Sequence, residues 1–360
     1  MALLTDILLN PQAIRALDEA GWDLLVRQAR HANLLGRLHQ LLRDRQLLTE
    51  TLPRARSHLK SAAVMADRQH LSVRHETRLL RDTLAGIGLP LILLKGAAYV
   101  LAGLPAASGR VFADLDILVP KARLSDAESA LMQCGWTSAT LEAYDQRYYR
   151  QWMHELPAMQ HMHRGTALDV HHTILPPTSR LHPDPAALIA DSRDVPGWPG
   201  VRTLSPCDMV LHSATHLFHD GETDNLLRDL SDLDLLMRHF AAASAEFWDD
   251  LVVRAAQLGL TIPLRLALRY ASQTLQTPVP AATLAAVGAD QPQALLDFMY
   301  DRALRPQHAS TADWATPACR RLLYARAHWL RMPPHLLALH LAHKAFWPAP
   351  VAPTVATDVR

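Results

Sequence analysis

Residues 110–120 read RVFADLDILVP, and this stretch decides the fold. Apolar and acidic residues alternate through its centre. In an extended chain Leu115 and Ile117 therefore face one side, and Asp114 and Asp116 face the other. The alternation predicts a strand over residues 111–119, stopped by Pro120, with one face in the core. Two carboxylates so close together repel, and an otherwise apolar strand carries them at a cost unless a cation sits between them. Magnesium suits that position, because it prefers oxygen ligands and keeps waters or substrate phosphates. A strand edge whose exposed face happens to be acidic is the plainer account of a bare Asp-x-Asp.

Working outward, LILL at residues 91–94 is a short continuous apolar run, as expected of a buried strand, and it stops at Lys95-Gly96. A helix is expected to open at residues 97–101. Backbone amides at such a turn can receive phosphate oxygens, glycine allows close approach, and Lys95 and Arg110 are cations within reach. A solvated surface lysine is the alternative. Downstream, residues 157–163 and 166–174 read as two strands joined at Arg164-Gly165. In ALDVHHTI, Asp169 points away from Leu168 and Val170. If that strand lies beside the acidic one, three carboxylates share a face. Such a set can hold two metal ions roughly 3.5–4 Å apart for in-line phosphoryl or nucleotidyl displacement.

The rest of the chain frames this core. Its 360 residues are 49% hydrophobic and 20% charged, which excludes a wholly disordered or collagen-like chain. Lys and Arg number 36 against 35 Asp and Glu, so no global basic field supports binding of a long nucleic acid. Cys134, Cys207 and Cys319 are scattered, with neither a disulfide framework nor zinc-finger spacing, and a cytoplasmic location is expected. The N-terminal MALLTDILLNPQAIRALDEAGW reads as an amphipathic helix pair rather than a signal peptide. HWLRMPPHLLALHLAHKAFW is the most apolar stretch, but Pro333-Pro334 breaks it, and it reads as a buried or surface-lying helix.

The expected class is α+β, a small mixed β-sheet core between helical N-terminal and C-terminal regions. The expected divisions are a helical region 1–88, the core 89–205, a helical region 206–347 and a flexible tail 348–360. In the first, a long helix runs through Val64, Leu71, Leu79, Leu80 and Leu84 and ends at Gly86 and Gly88. In the core, Ser125 is expected to cap a helix through Ala127, Ala130, Leu131 and Met132. Residues 176–200, rich in proline and glycine, read as loop.

In order, LILLKGAAYVLAG, GRVFADLDILVP and ALDVHHTI resemble the nucleotidyltransferase superfamily whose core is shared with DNA polymerase β, and within it the bacterial branch known as uncharacterised nucleotidyltransferases. The pattern of that branch falls on Leu94, Lys95 and Gly96, on Arg110, on Asp114 and Asp116, and on Asp169 and His171. The helical stretch PCDMVLHSATHLFHDGETDNLLRDLSDLDLLMRHF adds His212, His216, Arg228 and Asp232, so the likeness spans roughly residues 75–245. It implies that an NMP moves from an NTP such as ATP to a hydroxyl-bearing acceptor, a small molecule or a protein, with release of pyrophosphate. Asp114, Asp116 and Asp169 would be the catalytic metal ligands for two Mg2+ ions. Lys95, Gly96, Ala97 and Arg110 would bind the nucleotide, Arg110 bracing the triphosphate or pinning the acidic strand. His171, His212, His216, Arg228 and Asp232 would face the acceptor or support the site. Two departures stand out: Gly96-Ala97 replaces the usual Gly-Ser or Gly-Gly, and His172 stands where the branch often has Trp.

Two other readings remain at this stage. His219-Asp220, with His212, His216 and Asp232, faintly resembles the HD metal-dependent phosphohydrolases. A non-catalytic nucleotide-binding regulator or interaction protein would use the helical flanks. There Trp314, Trp329 and Trp347 read first as core and second as interface.

Overall fold

The computed structural model, which describes residues 2–138, 142–219, 224–333 and 335–336, turns the acidic stretch into a strand within a seven-stranded mixed sheet. The strands are β1 (Leu91–Leu94), β2 (Asp114–Leu118), β3 (Trp136–Ser138), β4 (Met159–His161), β5 (Ala167–His171), β6 (Arg193–Asp194) and β7 (Val201–Thr203). Their order is β3-β4-β5-β2-β1-β7-β6. The β2 strand runs parallel to β5 and antiparallel to β1, while β1 runs parallel to β7. Residues 111–113 stay outside β2. The Phe112 amide donates to Gln69 Oε1 at 3.2 Å instead of joining the ladder.

Helices flank this sheet on both sides in sequence, so the fold is α+β. Before it come α1 (Leu3–Leu9), α2 (Glu19–His31), α3 (Leu35–Asp44) and α4 (Pro53–Ala85). Within it lie α5 (Lys95–Leu101), α6 (Leu124–Gln133), α7 (Ala143–Trp152) and α8 (Pro185–Ala190). After it follow α9 (Pro206–His219), α10 (Leu226–Ala243), α11 (Phe247–Gln257), α12 (Thr261–Leu275), α13 (Ala281–Ala286), α14 (Ala294–Ala303) and α15 (Thr316–Arg331).

Two apolar clusters hold these elements. The larger joins β1, β2 and β5 to Val210, Leu211 and Ala214 of α9 and to the apolar faces of α10 and α12. The smaller gathers Leu4, Ile7, Trp22, Leu25, Leu38, Leu42 and Leu59, and Leu227 of α10 reaches into it. At the seam, Gly36 and Gly109 meet backbone to backbone, so a Cβ on either would collide with main-chain atoms. Gly109 also holds φ +64°, a conformation that suits glycine.

Several sequence expectations are corrected here. The long helix exists, but Val64, Leu71 and Leu79 face solvent. Leu59, Ala66, Val73 and Leu80 are the buried stripe, spaced by sevens. Ser125 does not cap α6, which starts one residue earlier behind Arg123. The Arg123 guanidinium instead ties Asp126 at 2.7 Å and the Ile87 carbonyl at 2.8 Å. The loop-rich passage contains α8 and β6, and β7 begins directly after it. Trp314 and Trp329 are exposed, at 90% and 49%, so neither is a core residue. Trp347, Asp220 and the tail lie outside the described residues. No described helix is long and apolar enough to cross a membrane.

Candidate active site

The site is built by strand register. Asp116 stands directly opposite Asp169 across the parallel pair, and Asp114 stands opposite Ala167. Side chains two apart share a face, so all three carboxylates emerge from the same side of the sheet. Leu115, Ile117, Leu168 and Val170 anchor the other side at 2% exposure or less. On the opposite edge of β2, Leu94 pairs with Asp116, which brings Lys95 alongside. The Lys95 Nζ lies 2.9 Å from Asp116 Oδ1.

Lys95 occupies the strand-to-helix junction with φ +44°, a left-handed conformation that an L residue adopts at a cost. Gly96 follows, and a Cβ there would lie 2.9 Å from Phe112 Cδ1 and closer still to the Arg110 guanidinium. Arg110 is buried and donates from Nε to Asp232 Oδ2 at 2.7 Å, while Arg37 meets Asp232 Oδ1 at 2.6 Å. Arg37 also donates to Ser231 Oγ and to the Ala106 carbonyl. Asp232 is thus the buried counter-ion of two guanidinium groups on different segments.

A cleft of about 450 Å³ opens over the carboxylates. Lys95, Gly96, Asp114, Asp116, Asp169 and Arg228 are on its walls, with Tyr149, Glu155 and His216 beside them. A larger hollow of about 810 Å³, walled by α8, α10 and α11, includes none of these residues, and its Arg254 is neutralised by Asp208 at 2.7 Å. The chemistry belongs to the smaller cleft.

The electrostatics differ across the trio. Burial, then the nearby Glu155 and Asp116 charges, push the Asp169 carboxyl up to about 7. Burial and Asp116 also raise Asp114. Burial opposes the charge of Asp116 too, but Lys95 and His171 outweigh it and hold that carboxyl well below the usual carboxylate range. His171 Nε2 reaches the same Asp116 Oδ1 at 2.9 Å. The oxygens of the trio do not all close to within 4.8 Å of one another, so they line the cleft rather than pinch a single point.

Residues 18–276, well over half of the chain, match the family described as uncharacterised nucleotidyltransferase. The chain belongs to that family. Comparison with curated proteins and with solved structures gives no match. The matched range begins well before the motif-bearing residues, so this nucleotidyltransferase includes α2, α3 and α4 in its family unit.

The remaining sequence-expected residues fall as follows in the nucleotidyltransferase. Arg228 and His216 reach the cleft, and Arg228 also pairs with Asp229 at 2.7 Å. Ala97 and His212 are buried and absent from the cleft wall. Burial, Lys95 and His171 keep His212 well below its ordinary pKa, hence neutral. Among the described residues, His212, His216 and His219 do not gather with a carboxylate into a metal-binding group, and Asp232 is committed to arginines. Asp220, the carboxylate of the His-Asp pair that suggested an HD phosphohydrolase, lies outside the described residues. Glu155, His154 and Tyr149 went unrecognised in the sequence. The helical spacing of AYDQRYYRQW was the available signal, since it places α7 directly ahead of His154-Glu155.

Proposed function

We propose that the cleft transfers an NMP from an NTP to a hydroxyl-bearing acceptor, with Mg2+ as cofactor and pyrophosphate as leaving group. The observation that carries this reading is the parallel register that sets Asp169 opposite Asp116 with Asp114 on the same face. The donor set fits magnesium: it is oxygen-only and partly buried, and burial first, then neighbouring carboxylates, raise Asp114 and Asp169. Three carboxylates on one face can hold two ions, the arrangement suited to in-line nucleotidyl displacement. Asp114 and Asp116 would hold both ions and Asp169 the one nearest the acceptor. When bound, magnesium neutralises triphosphate charge and makes the acceptor hydroxyl more acidic.

The chain's own groups do the rest. The first-turn amides of α5 have no partner within the helix, and Lys95 and Gly96 line the cleft, so they would receive the β- and γ-phosphates. Arg228 adds a cation on the facing wall. Arg110, fastened to Asp232, holds the entry to β2 and so fixes where Asp114 emerges. The acceptor oxygen attacks the α-phosphorus, the bond from that phosphorus to the bridging oxygen breaks, and pyrophosphate departs. The hydroxyl proton passes to Asp169.

The test is incubation with each α-labelled NTP, magnesium and cell extract, tracking the label with wild type and with Asp114→Asn. Label transfer is expected with wild type alone, with the variant's circular dichroism unchanged. Transfer by a folded Asp114→Asn protein would refute the scheme.

A further inference from the structure

Beside the carboxylate trio lies a second group of donors with different chemistry. Among the described residues, His154, Glu155 and His171 are the one set of three His, Cys, Asp or Glu side chains whose ligand atoms all lie within 4.8 Å of one another. Glu155 Oε2 is 3.3 Å from His171 Nδ1 and 3.9 Å from His154 Nε2. Donors held about 2.0–2.1 Å from a tetrahedral ion sit roughly 3.3–3.4 Å apart, so the group needs little adjustment to close on one.

The backbone places them. After α7 the chain turns extended: Glu155 bridges His171 in antiparallel fashion, the Leu156 amide donates to the Val170 carbonyl, and the His172 amide donates to the His154 carbonyl, both at 2.9 Å. Both imidazoles are buried, His171 at 2% and His154 at 8% exposure.

His171 supplies the second, independent observation. Its Nε2 is engaged by Asp116 Oδ1 at 2.9 Å, and its buried Nδ1, turned toward Glu155, has no hydrogen-bond partner. A carboxylate on one ring nitrogen with the other aimed at a donor cluster is how metal-ligating histidines are oriented.

We propose that His154, Glu155 and His171 bind one divalent transition-metal ion of the zinc class, separate from the magnesium sites. Two imidazoles and one carboxylate suit zinc and its neighbours, whereas magnesium and calcium select oxygen donors. Three protein ligands leave a fourth position, and His154 and Glu155 lie on the cleft wall, so a water there faces the substrate space. Through the His171–Asp116 hydrogen bond the ion fixes the orientation of a carboxylate in the trio. This site rests on its own geometry and stands whether or not the cleft transfers nucleotides.

The experiment uses the full chain without a histidine tag, loaded with zinc, passed through a desalting column and analysed for metal; cobalt is then titrated into metal-free protein and its absorption recorded. Stoichiometric zinc is expected in wild type, Asp114→Asn and Asp169→Asn. In His154→Ala and in Glu155→Gln, zinc affinity is expected to fall by more than the ~10–100-fold that loss of an outer-shell partner gives. Cobalt should give the intense visible bands of low-coordinate nitrogen and oxygen ligation. Should His154→Ala fail to fold, the isosteric Glu155→Gln decides alone. Wild type that retains no zinc, a folded Glu155→Gln that retains it fully, or loss of zinc in Asp169→Asn equal to that in Glu155→Gln would each overturn the proposal.

Discussion

At the scale of single residues, the carboxylates of the cleft make stability depend on pH in a direction that can be worked out. Asp169 has its proton affinity raised from an ordinary 3.8 to about 7 in the fold. Between those values the unfolded chain holds fewer protons than the folded one, so stability falls as pH rises, and the loss is complete above about 7. Asp114 is shifted the same way. Asp116 is shifted oppositely, but its contribution is already fully present above its ordinary 3.8 and so does not vary across the window. His171 is raised above its ordinary 6.5 by Asp116 and Glu155 despite burial, so its contribution fades as pH rises through its folded value and reinforces the trend. His39, His70, His172 and above all His212 are held below 6.5 mainly by burial, so their contribution runs the other way and grows as pH rises toward 6.5. The Asp169 part is therefore read by difference: in chelator, the thermal midpoint of wild type relative to that of Asp169→Asn should fall from pH 4.5 to 7.5, and excess magnesium should reduce that fall; a difference that does not change with pH would remove Asp169 as a source of the pH dependence. Gly96 makes a second, steric expectation. The Cβ of Gly96→Ala would press on Phe112 and Arg110, and overpacking of that kind costs about 1–3 kcal/mol. Urea denaturation reads it directly, and a variant as stable as wild type would show that the turn has room to spare.

At the scale of elements, the buried Asp232 joins three pieces of the fold: α3 through Arg37, the entry to β2 through Arg110, and its own helix α10. Removing one partner of a buried ion pair strands the others without water, at about 3–5 kcal/mol. Asp232→Ala is expected to destabilise by that amount in chemical denaturation, and Asp232→Asn by less, because it keeps the shape and some hydrogen bonding. Equal, small effects would mean that the arginines find other partners. The legibility of the sequence follows the same divisions. The β1, β2 and β5 strands were readable because LILL is wholly buried and because DLDIL and ALDVH alternate, so burial wrote its period into the residues. The two residues of β6 and three of β7 are too short to carry a period, and their positions come from pairing, β7 with β1 and β6 with β7. The buried stripe of α4 is not legible from side-chain size, because Ala66 and Val73 form part of it while the larger Leu71 stays in water. Alternation put each of the three carboxylates on the face away from the core, and the pairing of β2 with β5 brings them together. Glu155 could not be placed by alternation, because a single backbone bridge to His171 brings it to the site.

At the scale of the whole molecule, the charge balance of +1 gives a polyanionic substrate little long-range attraction. The cleft does not compensate locally. Of its cations Lys95, Arg110, Arg228 and Arg331, the first three are each committed to a carboxylate, namely Asp116, Asp232 and Asp229, and the same lining carries Asp114, Asp169 and Glu155. A triphosphate entering this space meets uncompensated negative charge unless divalent cations accompany it. Nucleotide binding should therefore depend on magnesium, not merely nucleotide turnover. Calorimetry with a non-hydrolysable ATP analogue is expected to show affinity at least about tenfold weaker in chelator, equivalent to about 1.4 kcal/mol. Equal affinity with and without magnesium would mean that Lys95, Arg228 and the α5 amides bind the phosphates unaided, leaving the carboxylates without a part in nucleotide capture. The same balance bears on the acceptor. A long nucleic acid releases counterions in proportion to the phosphates it contacts, and its binding weakens steeply with salt. With a net charge of only +1, transfer to the true acceptor should change little across the salt range that abolishes nucleic-acid binding, and a steep salt dependence would point instead to an oligonucleotide acceptor.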